Sequence, residues 1–390
     1  MKIGAVVLFA LLVASCAVTP VAAPDARFFN DRLFAAASER IDARDVFALS
    51  AEMQRYVNDE IAARSRTKGR QRGLIDALYS KDELKLEYDT EMTRNAAQAF
   101  AARSGNCLSL VIMTAAFAKE LGLTVEYQKV FVDDAWARAG DIYLSIGHVN
   151  LTLGKRKTDS GGFGYRVGVR PPESEGMMID FLPPDDLHRV RTRAIGEEVI
   201  VAMYMNNRAV EALARHQLDD AYWWAREAVV QAPAFLTPYN TLGAIYQRHG
   251  NLKESELVLA HVLDREPDNI QAMSNLIVVL NSLGRAEESQ RWSARLAKMD
   301  PDPPFGYFNR GLAAMRDGDV KAAKEAFAKE VARAPDYHEF NFWLAVAYLN
   351  LGEVEQARKY LTVAMKNSTT RRDHDLYAAK LDRINAARAN

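Results

Sequence analysis

Residues 236–267 read LTPYNTLGAIYQRHGNLKESELVLAHVLDREP, and this stretch decides the fold of the second half of the chain. It holds two amphipathic runs, parted by Gly250 and closed by Pro267. A glycine ends a helix at low cost because it accepts the left-handed backbone conformation. A proline cannot sit in a helix interior, so it closes the second run. The same marks recur without a slip. Pro233, Pro267, Pro301 and Pro335 stand 34 residues apart, as do Gly250, Gly284, Gly318 and Gly352, with His216 in the equivalent first place. A helix pair cannot bury its apolar face alone, whereas stacked neighbours can, so the period predicts a solenoid.

A 34-residue helix pair with these marks resembles the tetratricopeptide repeat. The quoted unit carries the pattern at Tyr239, Leu242, Gly243, Tyr246, Leu259 and Pro267. Later units give Gly311, Ala323, Phe327 and Pro335, then Leu344, Ala345, Tyr348, Ala357, Leu361 and Ala364. The first unit, about 202–235, has Ala209, Ala221, Ala228 and Pro233. The third is weaker, with Ile277 at the small-residue position and Ser293 where a large apolar residue is usual. About five units and a polar closing helix near 371–388 fill residues 201–390. The resemblance implies an all-α solenoid whose concave surface binds a protein or peptide. By register, the partner-binding candidates are Asn206, Asn240, Arg248, Phe308 and Phe342. The two phenylalanines have an ordinary alternative, packing against neighbouring helices. Tyr222, Trp223 and Trp224 are expected to seal the array against the N-terminal domain.

The first half turns on Gly105-Asn106-Cys107-Leu108-Ser109. Residues 107–118 are apolar nearly all round, which predicts a central buried helix. Ser104 or Asn106 can cap its start and Gly122 can end it. Cys107 thus falls in the first turn, where the positive end of a helix favours a thiolate. Helices are expected over 45–56 and 93–102, and strands over 125–132, 142–153, 165–169 and 177–182. His148 lies in phase with Ile142, Leu144 and Ile146. Asp180 stands inside an apolar strand, where an unpaired carboxylate is costly. Cysteine at a helix start, then histidine on a strand, then aspartate on the next strand, resembles the transglutaminase-like branch of papain-like enzymes over about 85–190. That resemblance implies an α+β domain over 27–200. It also implies Cys107 as nucleophile, His148 as the group that takes and returns its proton, and Asp180 as the orienting carboxylate. The chemistry implied is amide hydrolysis or acyl transfer. The residues by themselves leave plainer roles open: a buried cysteine, a core histidine, and a carboxylate paired with Arg170 or Arg189. The family often has an aromatic after the histidine; this chain reads His148-Val149-Asn150, which keeps an inactive descendant open. Asp185, Asp186 and His188 could join His148 and Asp180 around a metal, but without ligand-like spacing, so no metal and no cofactor is expected.

At the start, Lys2 precedes an apolar stretch from Ile3 to Val13 that is too short to span a bilayer. Ala14, Ser15 and Cys16 follow. This resembles the bacterial lipoprotein signal, which implies a signal peptide over 1–15, lipidation of Cys16, and a tether over 16–26 carrying Pro20 and Pro24. With Ala17 rather than aspartate after the lipidated position, the implied location is the cell envelope, at the outer membrane facing the periplasm. Ordinary cleavage near Ala22-Ala23 is the alternative. Two cysteines so placed make no disulfide framework, and lipidation of Cys16 leaves Cys107 as the remaining thiol. Net charge is −1, with 50 basic and 51 acidic residues, so a nucleic-acid partner is not expected. The cluster Arg64, Arg66, Lys68, Arg70 and Arg72 reads as a solvated helix–loop junction or an anionic contact. Gly161-Gly162-Phe163-Gly164 reads as a loop tip, lacking the lysine of a phosphate loop. Two functions fit: an envelope lipoprotein with a cysteine-nucleophile site and a recruiting array, or a non-catalytic envelope scaffold.

Overall fold

The computed structural model describes residues 24–79, 86–89, 92–131, 136–139, 142–145, 148–154, 176–181, 191–301, 305–368 and 370–389. Cys16 and its leader, Gly161–Gly164, the expected strand 165–169, Arg170, Asp185, Asp186, His188 and Arg189 lie outside them.

The described chain opens with an arm of three 3-10 turns, Ala26–Phe28, Asp31–Leu33 and Ala43–Asp45. Helix α1 (Ala51–Tyr56) is capped by Ser50, whose hydroxyl accepts from Met53 N–H, so helix begins later than the expected Asp45. A π-helical turn (Val57–Ile61) leads into α2 (Ala62–Lys68), and α3 (Arg70–Tyr79) folds back against it. The crossing is tight: a Cβ on Gly73 would stand 2.8 Å from the Ser65 Cα. Next come β1 (Glu87–Tyr88), α4 (Ala96–Ala102), β2 (Ser104–Gly105) and α5 (Cys107–Glu120). Asn95 and Gln98 form a reciprocal capping box, which starts α4 at Ala96 and frees Thr93 for other contacts.

Strands β3 (Thr124–Phe131), β4 (Trp136–Ala139), β5 (Ile142–Ser145), β6 (His148–Gly154), β7 (Met177–Ile179) and β8 (Arg191–Ile195) follow. Four of them form an antiparallel sheet in the order β7-β6-β3-β8. The single strand expected over 142–153 is therefore two, β5 pairing with β4 and β6 with β3. Helix α5 is buried from Cys107 to Ala118, which is why its sequence has no polar face. It shares one core with Tyr127, Val149, Leu151 and Leu153 of the sheet.

The second half is five helix pairs and a closing helix: α6 (Glu197–Ala214) with α7 (Leu218–Gln231), α8 (Thr237–His249) with α9 (Leu252–Arg265), α10 (Ile270–Ser282) with α11 (Ala286–Met299), α12 (Gly306–Arg316) with α13 (Val320–Arg333), α14 (His338–Asn350) with α15 (Val354–Lys366), then α16 (Arg371–Ala389). The periodic glycines have φ of 90°, 74°, 81° and 76°, and His216 takes the same left-handed bend at 61°. A β-carbon at Gly311 would lie 2.4 Å from the buried Phe327 ring, so the small-residue position is set by helix–helix contact.

Packing is uneven along this array. One core runs from Phe28 through α5 and the sheet to Leu280, and a separate one gathers Phe305, Phe308, Phe327 and Phe340. The break falls at the third unit. Only Ser289 of α11 is buried, and a cavity of about 330 Å³ lies against Ser274, Ile277, Ser293, Leu296, Ala297, Asp300 and Pro301. Ser293 stands where a large apolar side chain would fill that space.

The arm lies on the array. Phe34 stacks on Tyr222 with ring centroids 3.9 Å apart, and Phe28 packs on Tyr239 and His261. Asn30 N–H donates to Tyr246 Oη at 2.9 Å, and Trp223 Nε1 donates to the Ala35 carbonyl at 2.6 Å. Tyr222, Trp223 and Trp224 do seal a seam, and what they seal against is the arm, through Asp31, Ala35 and Glu39. Residues 26–39, expected to open the α+β domain, thus pack chiefly on units one and two.

Candidate functional site

Each residue of Gly105-Asn106-Cys107-Leu108-Ser109 has a physical task. Gly105 lies so close to Ser109 that an added Cβ would sit 2.7 Å from the Ser109 Cβ. Asn106 is the N-cap of α5, its Oδ1 accepting from Ser109 N–H at 2.9 Å and Ser109 Oγ–H at 2.8 Å. Cys107 is then the first helical residue, and its side chain is nearly buried.

His148 opens β6, opposite Val130 of β3. The core residues Val149, Leu151 and Leu153 alternate with it, so His148 and Asn150 share the other face of the strand. Leu151 pairs with Ile179 on β7, and one step along that register brings Asn150 opposite Asp180. The carboxylate is consequently held at both oxygens. His148 Nε2 lies 2.7 Å from Asp180 Oδ1, and Asn150 Nδ2 donates to Oδ2 at 2.8 Å. The Cys107 side chain lies next to the imidazole and acts on its ionisation. With Nε2 engaged by Asp180, the nitrogen left to the thiol is Nδ1. Burial alone would lower the His148 pKa, but its hydrogen bond to Asp180, the neighbouring Cys107 and the charges of both outweigh that and raise it to about 9. The imidazolium is thus the favoured form at neutral pH. Of the three residues singled out for chemistry in the sequence, all meet in one place.

Two neighbours were not legible from the sequence. Tyr88 on β1 pairs with Gly105, is half exposed, and has its hydroxyl beside Cys107. Burial first, then the adjacent Cys107, pushes the Tyr88 ionisation up, so its hydroxyl stays neutral. Asn150 is 1% exposed, and its Oδ1 has no partner among the described residues. A two-residue strand and an amide inside an apolar run carry no pattern that would mark them. A cavity of about 250 Å³ lined by Ile75, Tyr79, Met177, Met178, Ile179, Asp180 and Phe181 adjoins the carboxylate.

The concave surface differs from its expected form. Phe308 is fully buried against Phe305, Phe327 and Phe340, so it fills the core of unit four and presents nothing to a partner. Phe342 stacks on Tyr377 of α16 at 4.9 Å, covered by the closing helix. Asn206 and Asn240 are almost buried; Asn240 Oδ1 accepts from Asn275 Nδ2 of the next unit at 3.1 Å, which makes it a bridge between repeats. Arg248 is half-buried. Val278, on α10, is 45% exposed, one of several exposed apolar side chains along the array.

The tetratricopeptide-repeat family model matches residues 308–370. Together with the 34-residue period and the five helix pairs, this makes the C-terminal part a tetratricopeptide-repeat solenoid. A TPR repeat-containing protein of Pseudomonas aeruginosa is 26% identical over 205 residues, which is 52% of this chain and 32% of that protein. Cellulose synthase operon protein C of Pseudomonas fluorescens is 29% identical over 170 residues, 40% of this chain and 13% of the relative. The chain therefore spans a third or less of the length of these relatives. Among solved structures, a thermophilic TPR protein from Thermus thermophilus is 18% identical, with 46% of this chain and 98% of that one covered and a TM-score of 0.32. MamA from Desulfovibrio magneticus is 19% identical, with 44% and 96% covered and a TM-score of 0.26.

Proposed function

We propose that this is an envelope protein whose transglutaminase-like first half carries a working thiol site and whose repeats recruit the protein or peptide it serves. The observation that carries the reading is the joint placement of Cys107, His148 and Asp180, with 2.7 Å between imidazole and carboxylate. In this reading Cys107 attacks an acyl carbon and His148 hands its proton to the leaving amine. Asp180 holds the ring, and Asn150 holds Asp180. The Cys107 N–H and the neutral Tyr88 hydroxyl would donate to the oxyanion. Water or an amine then resolves the thioester. An activated ester tests this: p-nitrophenyl acetate should acylate Cys107 with a burst of p-nitrophenolate that Cys107→Ala abolishes. No burst from the intact chain would leave the scaffold reading.

That second reading keeps the recruitment and drops the chemistry. It is favoured by the repeat solenoid, since tetratricopeptide repeats serve protein binding.

Anchoring belongs to the same proposal. No helix among the described residues is long and apolar enough to cross a membrane. Attachment is assigned to lipid on Cys16, at the outer membrane facing the periplasm. Cys16→Ser should release the protein from membranes in fractionated cells; retention of this variant after a high-salt wash would rule the lipid anchor out.

A further inference from the structure

A continuous set of hydrogen bonds joins the array to the start of α5. Its hub is Thr93, 1% exposed. The Thr93 N–H donates to Glu211 Oε1 at 2.6 Å. Its Oγ1 accepts from Asn106 Nδ2 at 2.9 Å and Asn207 Nδ2 at 3.2 Å. A hydroxyl oxygen has two lone pairs, so both acceptor places of the Thr93 side chain are filled. On the array side, Glu211 Oε2 accepts from Arg208 Nη1 at 3.2 Å, and Arg208 Nη2 reaches Glu39 of the arm at 2.9 Å. On the thiol side, Asn106 is the cap that directly precedes Cys107.

We infer that the first repeat unit is a positioning element of the thiol site: Glu211, acting through Thr93, fixes the Asn106 cap and so aims the Cys107 N–H and thiol. The inference rests on Cys107 being a reactive thiol. The physical reason lies in the cap. Asn106 uses its oxygen on Ser109 and its amide on Thr93, so its rotamer is fixed from both ends. Removing the Thr93 hydroxyl frees one end and leaves two half-buried amide donors without that acceptor. The first turn of α5 then loses the restraint that sets its N–H directions. Anything that shifts α6, including a partner seated on the first unit, is thereby felt at Cys107.

The test uses the full chain and the second-order rate of iodoacetamide alkylation at Cys107, located by peptide mapping between pH 6 and 9. Thr93→Val should slow alkylation at pH 7 by about tenfold, since small misplacements of a reacting group are costly. Thr93→Ser keeps the hydroxyl and should restore a rate within about twofold of the wild type. Phe327→Leu, a core change in unit four outside the network, should leave the rate unchanged or raise it. This control also weakens a core, so a slowing seen in Thr93→Val alone is not explained by general loosening. If Thr93→Val does not fold, Glu211→Gln replaces it and should slow the reaction in the same direction. A Thr93→Val chain that alkylates at the wild-type rate or faster overturns the inference while leaving the thiol site intact. A wild-type Cys107 that reacts only in denaturant removes the site itself, and the inference with it.

Discussion

His148→Gln lowers the acylation rate of Cys107 near neutral pH by about 10²–10⁴-fold, the span a positioned acid–base group supplies. The variant keeps a polar side chain opposite Asp180 but loses the group that trades protons with the thiol. Asp180→Asn should retain the fold and show a smaller loss, since the amide keeps one oxygen for His148 and Asn150 can turn its unpartnered Oδ1 to the new NH2. A second effect fixes the sign. Contact with Asp180 and Cys107 raises the folded His148 pKa from 6.5 to about 9. A group raised on folding adds stability that is complete below its unfolded value and fades as pH climbs through the folded one. The stability gap between wild type and His148→Gln is therefore widest near pH 6 and closes above pH 9. Thermal melts across that range read it directly; a gap that widened with pH would contradict the ion pair.

Phe34→Ala destabilises the chain by about 3–4 kcal/mol, among the costs typical of removing a buried aromatic. Phe34 lies flat on Tyr222, with ring planes 6° apart, and touches Tyr246 and His249. With Phe28, it is one of the two buried aromatic pins that seat residues 26–39 on the array. Asn30, Ala35 and Ser38 donate backbone N–H groups to Tyr246, Asp219 and Asp220, and these bonds weaken together once the pin is gone. The urea midpoint should fall accordingly, and a protease should cut within the arm while the array stays whole. A loss below about 1 kcal/mol would mean that the arm rests on the array without bracing it.

The repeats were legible because their signal is periodic. Pro at one mark and Gly at another, 34 residues apart, each follow from what a backbone can do at a helix end. The weak third unit was legible too: Ser293 in place of a bulky side chain corresponds to the cavity beneath α11. Phe308 and Phe342 mark the limit of register arguments. A position that faces inward by count is still covered when its neighbours are aromatic or when a closing helix crosses it. The arm was not legible at all, because short 3-10 turns have no periodicity and its partners lie about 180–220 residues away. In the first half, Cys107, His148 and Asp180 were each marked by a polar or reactive side chain in an apolar run. Tyr88, Asn150 and Thr93 were not, since their roles depend on strand register and a single shared hydroxyl.

The central claim is that Cys107 is a thiol worked on by His148 rather than a buried filler. Its most direct test compares iodoacetamide alkylation of Cys107 in the native chain with that of the urea-unfolded chain at pH 6. A thiol beside an imidazolium at a helix start reacts faster in the folded protein, and His148→Gln should erase that advantage. Labelling that appears only after unfolding, at one rate with or without His148, would contradict the account and leave a scaffold.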